Sequence, residues 1–225
     1  MNAKLVALQQ NNTWDLVPLP HGQKPIGCKW VYKVKFKSDG SLERYKARLV
    51  AKGYTQKHGI DYQETFSPVV KMTTVRCIIA LAAQHHWPIF QLDINNAFLH
   101  GDLNEEVFMK VPEGLDYGPN IVCKLKKSLY GLKQSSRQWF AKLTLELLHQ
   151  GFVQSKNDYS LFIKKDHKSL TIVAIYVDDI IVIGDNISVV KSFKARCTEF
   201  SALKTWDNST IFWASRIPIL TTVLF

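Results

Sequence analysis

Leu170-Thr-Ile-Val-Ala-Ile-Tyr-Val-Asp-Asp-Ile-Ile-Val-Ile-Gly184 is the most apolar stretch of the chain, and its only charged residues are Asp178 and Asp179. A carboxylate pair in mid-membrane would be costly, so the stretch does not read as a membrane span. Two runs of strand-forming residues, Leu170 to Val177 and Ile180 to Ile183, flank the pair and predict a tight hairpin with the carboxylates at its tip. Aspartate in a turn is ordinary turn chemistry. Here, however, two apolar strands hold the pair against a core, where unpaired ionised carboxylates are destabilising. Divalent cations would offset that cost.

A third carboxylate lies upstream. Ile89 to Ile94 reads as a strand with Phe90, Leu92 and Ile94 on one face and Asp93 on the other, near the strand end. Hard oxygen ligands of this kind suit Mg²⁺ or Mn²⁺ better than zinc. Three carboxylates from two strand regions match two-metal phosphoryl transfer, in which ions about 3.5 to 4 Å apart activate an attacking hydroxyl and stabilise a leaving oxygen.

Around these strands the chain alternates helices and extended segments. Met1 to Gln10 predicts a short amphipathic helix rather than a cationic, apolar leader. Thr73-Thr74 can cap a helix with Val75, Ile78, Ile79 and Ala82 as its stripe, ended by Trp87-Pro88. Val107 to Val111 and Val122 to Leu125 read as short strands. From Ser135-Ser136 a helix carries Trp139, Phe140, Leu143 and Leu147 to a stop at Gly151. Another strand begins at Tyr159, and Asp166 to Ser169 makes a polar turn. Asn186 or Ser188 can cap a last helix with Val189, Phe193, Cys197 and Phe200 on one face. The order predicts an α+β fold, an antiparallel sheet with helices on one face.

The second strong pattern is Lys29-Trp-Val-Tyr-Lys-Val-Lys-Phe-Lys37, a half-buried strand by its alternation. Ser38-Asp39-Gly40-Ser41 turns it into a partner strand with Tyr45, Ala47, Leu49 and Ala51 on one side and Arg44, Lys46, Arg48 and Val50 on the other. Such a lysine-rich ribbon can simply discourage edge pairing. The crowding of cations on one face instead favours contact with phosphates through Lys33, Lys35, Lys37 and Arg44. Lysine and arginine total 29 against 19 acidic residues, a formal charge of +10. A surplus of that size fits nucleic acid, although charge alone does not separate it from an acidic membrane surface.

Cys28, Cys77, Cys123 and Cys197 are widely spaced and form no C-x-x-C pair, which reads as reduced thiols in a cytosolic or nuclear protein. His85-His86 are adjacent, and neighbouring helix positions do not share one metal easily.

Several long motifs in one order resemble the reverse transcriptases of copia-type retrotransposons. They are Lys29-Trp-Val-Tyr-Lys, Tyr45-Lys-Ala-Arg-Leu-Val-Ala-Lys-Gly53, Glu64-Thr-Phe-Ser-Pro-Val-Val-Lys71, Gln91-Leu-Asp-Ile-Asn-Asn-Ala-Phe-Leu-His-Gly-Asp102, Lys127-Ser-Leu-Tyr-Gly-Leu-Lys-Gln134 and Tyr176-Val-Asp-Asp179. The resemblance runs to about Leu203.

The resemblance implies the fingers and palm of a right-hand polymerase, without a thumb. Fingers with the basic hairpin would occupy 1–86, the first part of the palm 87–112, a fingers and palm return 113–135, and the palm with its Tyr-Val-Asp-Asp hairpin 136–203. Asp93, Asp178 and Asp179 would hold two Mg²⁺ or Mn²⁺ ions, with the carbonyl of Ile94 adding a contact and Tyr176 near the nucleic acid. The amides of Asn96 and Ala97 would lie near the triphosphate, and Phe98 would be a steric gate against a ribose 2′-OH. Tyr130-Gly131 would lie over the incoming nucleotide, and Lys46 or Arg48 would grip its phosphates; the resemblance does not choose between them. Implied partners are an RNA or DNA template with primer and deoxynucleoside triphosphates, with no membrane; the sequence does not fix the oligomeric state. A non-catalytic relic that at most binds nucleic acid is the alternative, and another palm-type enzyme such as a cyclase is a third reading, disfavoured by the basic hairpin and Tyr130-Gly131.

Two departures stand out. The family usually places proline where this chain has Ser136, which loosens the helix start modestly while leaving a capping residue. After Leu203 the family continues with a sequence like Lys-Asp-Leu-Gly-Gln-Leu, whereas this chain reads Lys204-Thr-Trp-Asp-Asn-Ser209. Back-translated as AAG-ACT-TGG-GAC-AAC-TCN and regrouped from the third base, that segment gives GAC-TTG-GGA-CAA-CTC, which encodes Asp-Leu-Gly-Gln-Leu. Phe212-Trp-Ala-Ser-Arg216 regroups in the same way to Leu-Gly-Ile-Glu. A single-nucleotide deletion near the Lys204 codon is therefore expected, with residues 204–225 out of frame and processive synthesis by this chain feeble or absent. Sequencing the locus should show that restoring one base there recovers the motif; finding no register that recovers it ends the idea.

Overall fold

A computed structural model describes residues 2–37, 39–94, 96–166 and 169–200. The expected out-of-frame tail lies outside them. In chain order the elements are α1 (Asn2–Gln10), β1 (Trp14–Pro18), β2 (Cys28–Phe36), β3 (Leu42–Ala51), α2 (Met72–Gln84), β4 (Ile89–Asp93), β5 (Asp102–Lys110), β6 (Ile121–Lys127), α3 (Ser135–His149), β7 (Val153–Gln154), β8 (Leu161–Asp166), β9 (Ser169–Tyr176), β10 (Asp179–Gly184) and α4 (Ile187–Phe200). Among the described residues the fold is mixed α and β, with antiparallel sheets and four α-helices. It divides into two compact units, 1–66 with 98–142, and 67–97 with the residues from 143 on.

In the first unit β1, β6 and β5 form one antiparallel sheet in that order, and β2 pairs with β3 as a separate ribbon. Leu5 and Leu8 seat α1, and the Thr13 hydroxyl donates to the Leu8 carbonyl at 2.7 Å. The ribbon register sets Lys33 opposite Lys46 and Lys35 opposite Arg44, so the basic face is continuous across both strands. The expectation of a half-buried strand fails here. Tyr32, Val34 and Phe36 are 65, 40 and 63% exposed, and Tyr45, opposite Val34, is 77% exposed. Only the inner end is covered, at Leu49 and Ala51. Alternation reports two distinct faces, but a two-stranded ribbon offers no third layer to cover one of them.

In the second unit the strand order is β4-β10-β9-β8-β7, antiparallel throughout. The α2 stripe Val75, Ile78, Ile79 and Ala82 clusters with Ile172, Ala174, Ile181 and Ile183, one face of the sheet. The opposite face carries Ile180 and Val182, both fully buried, and Val190 of α4 packs within 3.2 Å of where a Cβ on Gly184 would sit. Helices therefore cover both faces, which corrects the one-sided arrangement expected. The physical signal was present in Ile180 to Ile183: an unbroken apolar run belongs to a strand buried on both sides.

The helix ends show where local reading suffices and where it does not. At α4 the Asn186 carboxamide accepts the Ser188 and Val189 amides at 2.9 and 3.4 Å, so Asn186 is the cap. At α3 the left-handed Gly151 follows the last turn, and the Phe152 amide returns to the Leu147 carbonyl at 3.0 Å. Thr73-Thr74 do not cap α2. The cap position is Lys71, whose amide donates to the carboxylate of Asp158 at 3.0 Å, while the Thr74 hydroxyl donates to the same oxygen at 2.6 Å.

Asp158 also accepts the Ser160 amide and hydroxyl. Burial pushes its carboxyl up, but the bonds from Ser160, Thr74 and Lys71 hold it below the usual carboxylate range. The folded chain thus binds this proton less tightly than the unfolded one. The stabilisation is intact above the ordinary carboxylate range near pH 4 and fades as pH falls through the lower native value. Asp158→Ala should cost about 1–3 kcal/mol at neutral pH by leaving those donors unpaired, and less in acid. Denaturant melts of both chains between roughly pH 7 and pH 3 check this, and a cost that does not shrink in acid contradicts it.

Candidate active site

The register of the second unit fixes three carboxylates on adjoining backbone. Asp93, last residue of β4, is the direct partner of Asp179, first residue of β10. Asp179 in turn pairs with Tyr176, so Val177 and Asp178 alone make the turn from β9. The Ile94 amide donates to the Asp178 carbonyl at 3.0 Å, which ties the tip to the end of β4. The register thus sets the backbones of Asp93, Asp178 and Asp179 side by side.

The tip is strained. Val177 has φ 58°, in the left-handed region that a β-branched side chain rarely occupies. A two-residue hairpin turn demands such a conformation at its first central position, where glycine is the ordinary choice. Strain of this kind, about 1–3 kcal/mol, persists only where the surrounding structure enforces it. Here the β9–β10 ladder does so.

Burial pushes the Asp179 carboxyl up; the Gln91 side-chain amide opposes this by donating to it at 3.0 Å, and the neighbouring charges of Asp178 and Asp93 raise it further. Asp93 is exposed and Asp178 half-buried. Among the described residues no three His, Cys, Asp or Glu side chains are drawn together as a ready-made metal cage. The donor set nevertheless fits a hard divalent ion: all oxygen, three carboxylates, and one of them held in a setting that disfavours its own charge.

The turn that follows β4 is held by its own backbone. The Ile94 carbonyl, expected as an additional metal ligand, accepts the Ala97 amide at 3.2 Å, so that amide is committed within its own turn. Asn96 stands between them with φ 55°.

The first unit carries the aromatic and basic residues. Phe98 and Tyr130 pack ring to ring with centroids 4.6 Å apart, and the Arg48 guanidinium lies 5.2 Å over the Tyr130 ring. The Tyr130 carbonyl accepts the Ala51 amide at 2.8 Å. Gly131 follows with φ 93°, and a Cβ there would lie 2.1 Å from the Ala51 carbonyl oxygen. A Cβ on Gly53 would lie equally close to the Gly131 carbonyl oxygen, at 2.1 Å. Only glycine at both positions lets the Tyr130 loop close on the base of β3. The buried amides of Gln56 and Gln134 lock that closure: Gln56 donates to Gln134 at 3.0 Å and accepts the Lys133 amide at 2.9 Å.

Sequence reasoning missed Gln91, Gln56, Gln134 and Lys4. Gln91 shares a strand face with Asp93, a period-2 signal that could have found it. Lys4 lies on α1 within electrostatic reach of Lys46 and Arg48; burial foremost, then those two charges, push it down to about 8. Its spacing of four from Leu8 put it on the packed side of the helix.

Residues 11–214 match the family described as reverse transcriptase (RNA-dependent DNA polymerase). The chain is 46% identical over 224 residues to the retrovirus-related Pol polyprotein from transposon RE1 of Arabidopsis thaliana, covering 97% of this chain and 15% of that protein. For transposon RE2 of the same plant the identity is 49% with the same coverage. For TNT 1-94 of Nicotiana tabacum it is 45% over 197 residues, 86% of this chain. The chain belongs to the reverse transcriptase family, as a copia-type domain of the kind carried by retrotransposon Pol polyproteins. It spans about 15% of the length of these relatives. Among the described residues no helix is long and apolar enough to cross a membrane.

Asp179 generates a pH test. Its native carboxyl holds a proton more tightly than in the unfolded chain, so native stability is greatest below the ordinary carboxylate range. It declines as pH rises through the higher native value. Asp179→Asn removes the penalised charge and should raise the melting temperature at pH 7 by roughly 2 °C, with no gain near pH 3. A fall at pH 7 would refute the assignment.

Proposed function

We propose that this chain is the nucleotidyl-transfer domain of a retrotransposon reverse transcriptase, adding deoxynucleotides to a primer 3′-OH on an RNA or DNA template. The observation that carries the reading is the pairing of Asp93 with Asp179 one residue from Asp178, which brings three acidic residues to one end of the β4-β10-β9 ladder. Asp93, Asp178 and Asp179 would hold two Mg²⁺ or Mn²⁺ ions. When bound, such ions lower the pKa of an attacking hydroxyl and stabilise a leaving oxygen.

The chain's own residues do the rest. Gln91 orients Asp179 by its hydrogen bond. Phe98, propped by the Tyr130 ring, presents a flat face that would exclude a ribose 2′-OH. Arg48, stacked on Tyr130, would grip the triphosphate of a nucleotide lying on that ring. Lys33, Lys35 and Arg44 on one face of the ribbon, with Lys37 just beyond β2, would contact backbone phosphates.

Primer extension with Mg²⁺ on a poly(rA) template tests this. The expected result is short, template-dependent addition of deoxythymidylate that Asp178→Asn reduces by at least about 100-fold. Salt-sensitive binding of primer and template with no extension by the unaltered chain would instead establish the non-catalytic relic.

A further inference from the structure

Phe98 and Tyr130 are both half-buried, so each ring keeps an open side and enclosure alone fixes neither. A group that selects by shape has to be held within about 0.5 Å by the packing and hydrogen bonds behind it. Behind Tyr130 stand two buried carboxamides, Gln56 and Gln134. Gln56 extends from the end of the short 3₁₀ turn Gly53–Thr55, accepts the Lys133 amide at 2.9 Å and donates to Gln134 at 3.0 Å. Gln134 donates in turn to the Asp61 carbonyl at 3.1 Å. These bonds tie the far end of the Tyr130 loop to the segment from 56 to 61, while the Ala51 amide holds its near end through the Tyr130 carbonyl. Gly53 and Gly131 already stand as close as backbone allows, so a loop that loses these bonds can relax only away from β3.

We propose that Gln56 and Gln134 are positioning residues for sugar selection: their hydrogen bond seats the Tyr130 loop against the foot of β3, and the seated Tyr130 ring holds Phe98 where it excludes a 2′-OH. The proposal rests on the reading of Phe98 as a steric gate given above and extends it to two buried side chains out of reach of a nucleotide. The last link is the ring contact itself, with the Phe98 and Tyr130 centroids 4.6 Å apart. A carboxamide pair suits this task better than apolar packing. Hydrogen bonds fix distance and direction, and a buried pair is costly when half-satisfied, so the loop has one favoured seat instead of a graded series.

Nucleotide binding by the full 225-residue chain tests this, with Mg²⁺, a DNA template whose next base is thymine, and a primer ended in a dideoxynucleotide so that no bond forms. Calorimetric titration with dATP and with ATP gives the ratio of the two affinities. The unaltered chain should favour dATP by at least about 10-fold. Gln56→Met keeps length and bulk but removes the hydrogen bonds, and should bring the ratio to within about threefold of unity, chiefly by strengthening ATP binding. A general loosening of the fold would weaken both nucleotides alike. Gln134→Met should act in the same way, and the double variant should add little, since either change breaks the same bond. Thr13→Val removes a buried hydroxyl's bond to the Leu8 carbonyl in the same unit; it should lower the melting temperature and leave the ratio unchanged.

If the unaltered chain prefers dATP and the folded methionine variants keep the same ratio, the two glutamines only support the fold, and the proposal falls while the reading of Phe98 stands. An equal loss of the ratio in Thr13→Val, or a failure of both single methionine variants to fold, likewise overturns it. If the unaltered chain binds dATP and ATP alike, the steric gate falls and the proposal with it; if it binds neither, the nucleotide-binding reading falls as well.

Discussion

Carboxylates set on neighbouring backbone repel, and a chain that places three of them at one end of a buried ladder must hold them there by something stronger than their own interactions. In the second unit that something is the pairing of β4 with β10 and of β10 with β9. Each residue from Ile180 to Ile183 is buried, and a register slip of one residue would turn every side chain of β10 to the wrong face. The hydrophobic ladder therefore fixes the register, and the register fixes Asp93 opposite Asp179. The electrostatic cost is confined to the end of the ladder, where Asp93 remains open to solvent and Asp179 has Gln91 as a donor.

The first unit solves a different problem, how to hold a ring face steady at the foot of a ribbon that is otherwise exposed. It uses backbone instead of side-chain bulk. Gly53 and Gly131 allow two chain segments to approach more closely than any Cβ permits, and the Tyr130 carbonyl joins the β3 ladder through the Ala51 amide. The buried pair Gln56 and Gln134 would be costly if unsatisfied, but each bonds the other's segment, and Gln134 also donates to the Asp61 carbonyl at 3.1 Å. The Tyr130 ring, clamped from its backbone, can carry Phe98 on one side and Arg48 on another.

Much of this was legible in the sequence, for identifiable reasons. The hairpin around Asp178-Asp179, the α2 stripe and the Gly151 stop depend on residues close together in the chain, and local patterns report local structure. The meeting of Asp93 with the tip was legible only because both sat at the ends of apolar runs. What escaped were long-range satisfactions: Asp158 reaching back to the start of α2, 87 positions away at Lys71, and Gln134 donating to the Asp61 carbonyl across 73. The ribbon misled for the opposite reason. Alternation at Tyr32, Val34 and Phe36 is a genuine two-faced pattern, but no periodicity states whether a covering layer exists. The Ile180 to Ile183 run was the reverse case, where the absence of alternation already meant cover on both sides.

The places where local rules are broken bear on whether the site is incidental. A valine in left-handed backbone and a carboxylate whose charge its surroundings disfavour are each unfavourable on their own. Around them the local rules hold: Asn186 caps α4, the α2 stripe faces the sheet, and Ile180 to Ile183 are residues that strands prefer. Local violations persist in a folded chain only where the surrounding structure overrides them, and they cluster at functional sites. Both stand at the end of the β10 ladder, since without the Val177 turn Asp178 and Asp179 would not be there. The strain is therefore the geometric condition for the acidic cluster that the proposed two-ion chemistry needs.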